Sequence, residues 1–260
     1  MKKYTVLLII LSLSFLFCGC TNKNKHLNDL ETIKKRGHII VGVKADSPPF
    51  GYFDEDKRKG IDIEIAKEIA GAIFKEEPEG HIEFVNVTAQ NRISKLNAKE
   101  VDILVATVSV NEKRKLVIDF SRPYFMTSSK ILVKKDSGIS TLQYFNSRGK
   151  LAVVMGTTGE KIARQTAPNA ILIGAKTYPE AFNYIQNNQV DAILGDDIIL
   201  SQFVNNKYKI VNRAYSRENY AVAVRKSEDS KELLSEINMV IGSLLDDKRF
   251  NLLKLEQLYN

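Results

Sequence analysis

Two stretches of the chain each alternate short apolar runs with helical periods, and that alternation limits the folds open to it. In the first, residues 38–43 (H-I-I-V-G-V) read as a buried strand, and 44–52 as a loop stiffened by Pro48 and Pro49. Residues 54–59 read as charged turn material closed by Gly60. Ile61, Ile65, Ile69 and Ile73 then recur at helical spacing, with Asp62 placed to cap the helix. Residues 78–80 (P-E-G) break it, 81–87 alternate as a strand, 91–96 suit a short helix and 101–105 a third strand. Such an order predicts a mainly parallel sheet covered on both faces. The pattern restarts at 150–154, with a small-residue loop G-T-T-G at 156–159, a helix, and strands at 170–173 and 192–194 separated by a helix over 179–186. Asp196-Asp197 opens a further helix. Both stretches contain a strand entered by Val-Asp, at 101–102 and 190–191, a faint internal echo. The fold class is therefore α/β, with two similar lobes.

The joints follow. Residues 124–134 lead from the first lobe to the second, and 215–225 (Y-S-R-E-N-Y-A-V-A-V-R) form a strand leading back. Residues 230–259 read as two amphipathic helices, too few to fold alone and predicted to pack on lobe one. The predicted division is lobe one at 28–124 plus 220–260, lobe two at 129–216, and a two-crossing hinge at 125–128 and 217–219. Two crossings leave a cleft between the lobes.

The N-terminus reads as a leader. A basic start, Lys2-Lys3, precedes an apolar run over 6–17. That run is shorter than the roughly twenty residues a spanning helix needs and fits a secretory signal. Cys18 and Cys20 are the only cysteines, so no disulfide framework and no Cys-x-x-Cys site can form. Gly19-Cys20 resembles the cleavage and acylation site of bacterial lipoproteins. The expectation is a leader over 1–19, a diacylglycerol and palmitate anchor on Cys20, and a polar tether over 20–27. This would hold the protein outside the cytoplasmic membrane, facing a periplasm or the surface of a Gram-positive cell. Removing Lys2 and Lys3 lowers the formal charge from +7 to +5. The charge is spread thinly, with no dense basic block, and argues against nucleic acid. No metal-ligand spacing and no cofactor motif appears.

The most informative polar stretch is 106–125, A-T-V-S-V-N-E-K-R-K-L-V-I-D-F-S-R-P-Y-F. It leaves an apolar strand, presents Thr107 and Ser109 in alternation with valines, and then supplies Arg114. Hydroxyls, backbone groups and one guanidinium can gather there around a small anion at the end of a sheet.

Several segments together resemble the bacterial extracellular solute-binding proteins of family 3. They are V-G-V-K-A-D-S-P-P-F-G at 41–51, G-I-D-I-E-I-A at 60–66, N-R-I-S-K-L at 91–96, V-D-I-L-V-A-T-V-S-V-N-E-K-R at 101–114, I-D-F-S-R-P-Y at 118–124 and V-D-A-I-L-G-D at 190–196. The resemblance covers roughly residues 30 to 258 and departs at Ile61, where an aromatic is usual, and at Asn111, where Thr is frequent. It implies a type II periplasmic-binding-protein fold, the Venus flytrap, whose ligand binds in the cleft and whose closed form docks on an ABC permease and ATPase complex. It also implies binding of a polar amino acid, with a dehydratase-like enzyme on the same fold as an alternative; the expectation is a monomeric receptor and not an enzyme. Asp196, Asp46 and His38, the candidate acids and bases, lack a partner or motif for proton transfer.

The resemblance assigns roles by position. Arg114 would take the ligand α-carboxylate, for which a planar, always-charged fork is suited. Thr107 and Ser109 would flank the head group. Thr158, at a helix N-terminus, would offer its N–H to the same carboxylate. Asp196 would pair the ammonium, leaving Asp197 as the exposed helix cap. Lys44 and Arg92 match basic positions that meet a side-chain carboxylate in glutamate and aspartate binders. Arg114 and Asp196 balance an amino-acid backbone, so Lys44 and Arg92 would leave surplus positive charge in a dry cleft and favour an acidic ligand. Asp46 or Glu64 could relieve that surplus and permit a neutral ligand such as glutamine. Phe50 and Tyr52 would cover the ligand's aliphatic part, and Tyr220 would sit at the second hinge crossing near the cleft.

Overall fold

The computed structural model describes residues 26–247 together with 250 and 251. The predicted leader, Cys20 and most of the predicted second C-terminal helix lie outside the described residues. Helix α1 (Asp29–Arg36) starts on a reciprocal cap between Asn28 and Glu31. Strands β1 (Ile39–Val43), β5 (Ile82–Asn86) and β6 (Ile103–Val105) run parallel, with β1 between the other two. Helices α2 (Ile61–Phe74) and α3 (Arg92–Asn97) provide the crossovers. Two antiparallel strands, β13 (Glu218–Arg225) and β7 (Ile118–Thr127), complete the sheet in the order β5-β1-β6-β13-β7. Between β6 and β7 lies a single helical turn, α4 (Glu112–Lys115).

The second sheet has the order β10-β9-β11-β8-β12. Strands β9 (Lys150–Val154), β10 (Ile171–Ala175) and β11 (Ala192–Asp196) are parallel, and β8 (Ser129–Lys134) and β12 (Tyr208–Ile210) are antiparallel additions. Helices α5 (Thr158–Thr166), α6 (Tyr178–Gln186) and α7 (Asp197–Leu200) follow β9, β10 and β11. The chain therefore forms two α/β lobes. Strand β7 continues through Ser128 into β8, and β13 brings the chain back beside β7, pairing Glu218 with Thr127 and Tyr220 with Phe125. Residues 125–128 lie on the outgoing crossing and 218–219 on the returning one.

Helix α2 carries much of lobe one's core. Ile61, Ile65 and Ile69 are fully buried and Ile73 nearly so, each burial stabilising by about 1.5–3 kcal/mol. Helix α8 (Lys231–Asp246) buries Leu233, Ile237, Ile241 and Leu244, one helical stripe, and packs on α2 and β7 of the same lobe.

Two local readings need correction. Residues 54–59 are not merely a charged turn: β3 (Gly51–Asp54) and β4 (Lys57–Lys59) form a hairpin, and β2 (Asp46–Ser47) pairs beside them. The Arg58 guanidinium lies 4.6 Å from the Phe53 ring centre and 5.6 Å from that of Phe84, which anchors the charged tip. Nor does Asp62 cap α2. The cap position is Gly60, without a side-chain bond. The amides of Ile61 and Asp62 instead donate to the carbonyls of Pro49 (2.9 Å) and Phe50 (3.0 Å). This arrangement demands glycine: Gly60 has φ +119°, and a Cβ there would lie 1.9 Å from the Phe50 carbonyl oxygen. Gly60→Ala should therefore lower unfolding free energy by about 2–4 kcal/mol. Urea denaturation of the two proteins measures the difference.

Candidate functional site

The parallel strands of both sheets end at one place. Lys44 follows β1, Arg92 begins α3, and Thr107 and Ser109 follow β6. From lobe two, Thr157 and Thr158 follow β9, Tyr178 follows β10 and Asp196 ends β11. With Ala89 these residues line a small cavity. Clefts at the carboxyl ends of such strands are where open α/β sheets bind ligands.

Lobe one supplies a rigid basic wall. Arg92 is 2% exposed, and its Nη1 donates to the carbonyls of Ala106 (2.5 Å) and Thr107 (3.1 Å). Among the described residues its buried Nε has no hydrogen-bond partner, and no carboxylate lies within ion-pair distance of the guanidinium. Lys44, also 2% exposed, donates to Asp46 Oδ1 at 2.8 Å. The other Asp46 oxygen, Oδ2, is buried and unpartnered. Glu64 pairs with Lys67 at the surface instead.

Lobe two supplies the acid. Asp196 is buried and accepts a short hydrogen bond from the Tyr220 hydroxyl, while its own amide lies 3.4 Å from the Tyr178 hydroxyl. Thr157 caps α5, its hydroxyl accepting from the Glu160 amide at 3.2 Å. Thr158 is then the first helical residue, and that helix end faces the cavity.

Arg114 stands at the edge. Its Nη1 donates to the Ser109 carbonyl (2.7 Å) and its Nη2 crosses to the Gly156 carbonyl of lobe two (3.0 Å). The side chain lines an adjoining groove that shares Thr157 and Thr158 with the cavity. Two of the guanidinium's five N–H groups are thus engaged, both with carbonyls. Gly156 lets the lobes meet here. It has φ +80°, and a Cβ would lie 2.6 Å from the Ala89 carbonyl oxygen across the cleft.

Burial pushes four charges of the site, Lys44, Arg92, Arg114 and Asp196, toward neutrality. Desolvation lowers the Lys44 ammonium against the pull of Asp46, and lowers Arg92. Burial and the neighbouring Arg92 charge bring Arg114 down to about 9, still cationic at neutral pH. Burial raises Asp196 to about 6, despite the Tyr220 hydrogen bond. A molecule carrying a carboxylate and an ammonium would compensate both signs at once.

Most of the predicted residues meet in this cavity: Lys44, Arg92, Thr107, Ser109, Thr158 and Asp196 line it, and Arg114 adjoins it. Phe50 and Tyr220 do not line it. Both are fully buried behind the wall, their ring centres 5.1 Å apart, in a cluster with Phe125. Tyr52 is half-buried in the β2-β3 pair, also away from the lining. Asp197 is not an exposed cap. It accepts from the Thr127 (2.6 Å) and Ser128 (2.9 Å) hydroxyls and from Lys130 (2.9 Å), tying α7 to the β7–β8 link. Burial works against its charge, but these bonds outweigh it and hold the carboxyl below the usual range. Ala89, Thr157 and Tyr178 were not anticipated. The position of Tyr178 at the first turn after a strand is a signal that could have found it.

The description "Bacterial extracellular solute-binding proteins, family 3" matches residues 39–256. The chain belongs to that family. Among similar family members, the Bacillus subtilis (strain 168) ABC transporter glutamine-binding protein GlnH is 32% identical over 237 residues, 90% of this chain and 85% of the relative. A glutamine-binding protein of Geobacillus stearothermophilus is 35% identical over 210 residues, 79% of each chain. In structure, the cysteine-binding protein of Campylobacter jejuni superposes with a TM-score of 0.83 at 32% identity, covering 90% of this chain and 94% of that one. The fold is the type II periplasmic-binding-protein fold, and membership places the protein outside the cytoplasm. Among the described residues no helix is long and apolar enough to cross a membrane.

The Asp196 carboxyl sets a pH dependence. It is ionised above about 6 and protonated below, so a ligand ammonium held there should be released as pH falls. Affinity should drop about tenfold per pH unit well below 6, and Asp196→Asn should abolish that part of the profile. Isothermal titration between pH 5 and 8 gives both curves.

Proposed function

We propose that this protein is the receptor of an ABC importer for a polar amino acid, with glutamine as its ligand. The amino acid enters the cleft with its α-carboxylate toward Arg114 and the Thr158 amide, and its ammonium toward Asp196, Ser109 and Thr107. Its side chain lies against Arg92 and Lys44. The relatives' names as glutamine-binding proteins support this reading.

The observation that carries the side-chain assignment is the 2.8 Å pair between Lys44 and Asp46. The expectation of an acidic ligand rested on surplus charge at Lys44 and Arg92. With Lys44 paired, and with Asp196 and Arg114 serving the backbone, a neutral side chain leaves less charge unbalanced in a dry site. A carboxamide also offers both an acceptor for the unpartnered Arg92 Nε and a donor for nearby acceptors. Glutamate or aspartate remains the second reading, favoured by Arg92 having no carboxylate partner among the described residues. Cys20 acylation, a monomeric state and delivery to a membrane permease belong to the same proposal, supported by the leader pattern and the family.

Titration of the purified protein with each of the common amino acids, by calorimetry, tests it. Glutamine should bind at least about tenfold more tightly than glutamate or aspartate, the order of one unpaired buried polar contact. Tighter glutamate binding would transfer the assignment to the second reading. No heat with any amino acid would overturn the proposal.

A further inference from the structure

One buried carboxylate near the site belongs to none of the roles above. Asp62 is fully buried on the first turn of α2. Its Oδ2 accepts from the Thr107 amide at 3.1 Å and its Oδ1 from the Tyr124 hydroxyl at 2.7 Å. Tyr124 lies on β7, three residues before that strand ends at the lobe link.

Thr107 is the unusual partner. It has φ +50°, the left-handed region, which a β-branched residue seldom occupies. Such a conformation costs about 1–2 kcal/mol and persists only where the surroundings enforce it. Here the enforcement is visible. The Thr107 amide would be a buried donor without Asp62, and the carbonyls on either side of the Ala106–Thr107 step converge on Arg92 Nη1. The strained turn is what aims both carbonyls at one guanidinium nitrogen. Asp62 itself is held in place from behind, because the Gly60 turn locks the start of α2 onto the Pro49 and Phe50 carbonyls.

We propose that Asp62 is a positioning residue of the binding site: its carboxylate clamps Thr107 in the left-handed conformation that seats Arg92, and ties that turn to Tyr124 on the linking strand. The ligand effect rests on reading the cavity as an amino-acid site; the clamp itself does not. The charges facing Asp62 from the neighbouring elements are Lys44 after β1 and Arg92 on α3, with the Tyr124 hydroxyl on β7. Burial, partly offset by those partners, raises the carboxyl to about 7, so the clamp is charged above neutrality and weakens below it.

The test pairs a ligand-independent readout with a ligand-dependent one. In the purified protein, Asp62→Asn should speed exchange of the Thr107 amide, followed by NMR, while the Val43 amide in β1 keeps its protection. Glutamine affinity at pH 8 should fall about tenfold, the loss expected when a charge-assisted hydrogen bond becomes a neutral one. The wild-type decline in affinity through pH 7 should vanish in the variant, leaving only the decline near 6. Tyr124→Phe should cost less, about threefold, because the Thr107 bond survives. Unchanged Thr107 exchange in Asp62→Asn would overturn the clamp, whatever the protein binds. Equal acceleration at Thr107 and Val43 would also overturn it, since Asp62 would then serve general stability alone. Should the wild type bind no amino acid while Thr107 exchange accelerates selectively, the clamp stands and the proposed function fails.

Discussion

Six ionisable side chains, Lys44, Asp46, Asp62, Arg92, Arg114 and Asp196, are held largely out of water where two sheets meet. Taking a charge out of water costs several kcal/mol unless it is paired and hydrogen-bonded. The fold meets that cost only in part. Lys44 has Asp46, and Asp62 has an amide and a hydroxyl. Arg92 and Arg114 have carbonyls alone, and Asp196 has a tyrosine hydroxyl. The cations that lack a carboxylate and the acid that lacks a cation are the groups a zwitterion would complete.

The architecture explains why these groups can be assembled at all. Parallel strands end together, so β1, β6, β9, β10 and β11 each deliver a residue to the same small space. Helix α5 brings its N-terminus from the opposite lobe. The lobes are joined by β7 and β13, and the aromatic cluster of Phe50, Phe125 and Tyr220 packs around that join. Tyr220 reaches Asp196, Tyr124 reaches Asp62, and Asp197 fastens the link itself. Side chains at the site therefore share hydrogen bonds with side chains of the crossing strands. A ligand that favours the closed arrangement would shift the lobe equilibrium by its differential affinity.

Much of this was legible in the sequence. The repeat of strand and helix periods gives two α/β lobes, and the motif order places Arg92, Thr107, Ser109, Thr158 and Asp196 in one cavity with Lys44. What the sequence left open was pairing. Asp46 lies two residues from Lys44, but only the β2-β3 turn decides that their side chains meet. Asp62 looks like a helix cap because its position is right for one; Gly60 occupies the cap, and the loop carbonyls satisfy the helix amides, which frees the carboxylate for Thr107. Phe50 and Tyr220 carry no mark in the sequence of whether an aromatic ring faces a ligand or lies behind the wall. The hairpin at 51–59 was hidden because its tip is highly charged and its anchor, Arg58 between two phenylalanines, is a tertiary contact.

The central claim is that one amino acid bridges the two lobes, with its oppositely charged α-groups on Arg114 and Asp196. A crystal structure of the protein with its bound amino acid tests this most directly. The account predicts the α-carboxylate on the Arg114 guanidinium and the Thr158 amide, the ammonium on Asp196, and the side chain toward Arg92 and Lys44. An α-carboxylate seated on Arg92, with Arg114 still bonded only to the Ser109 and Gly156 carbonyls, would contradict it.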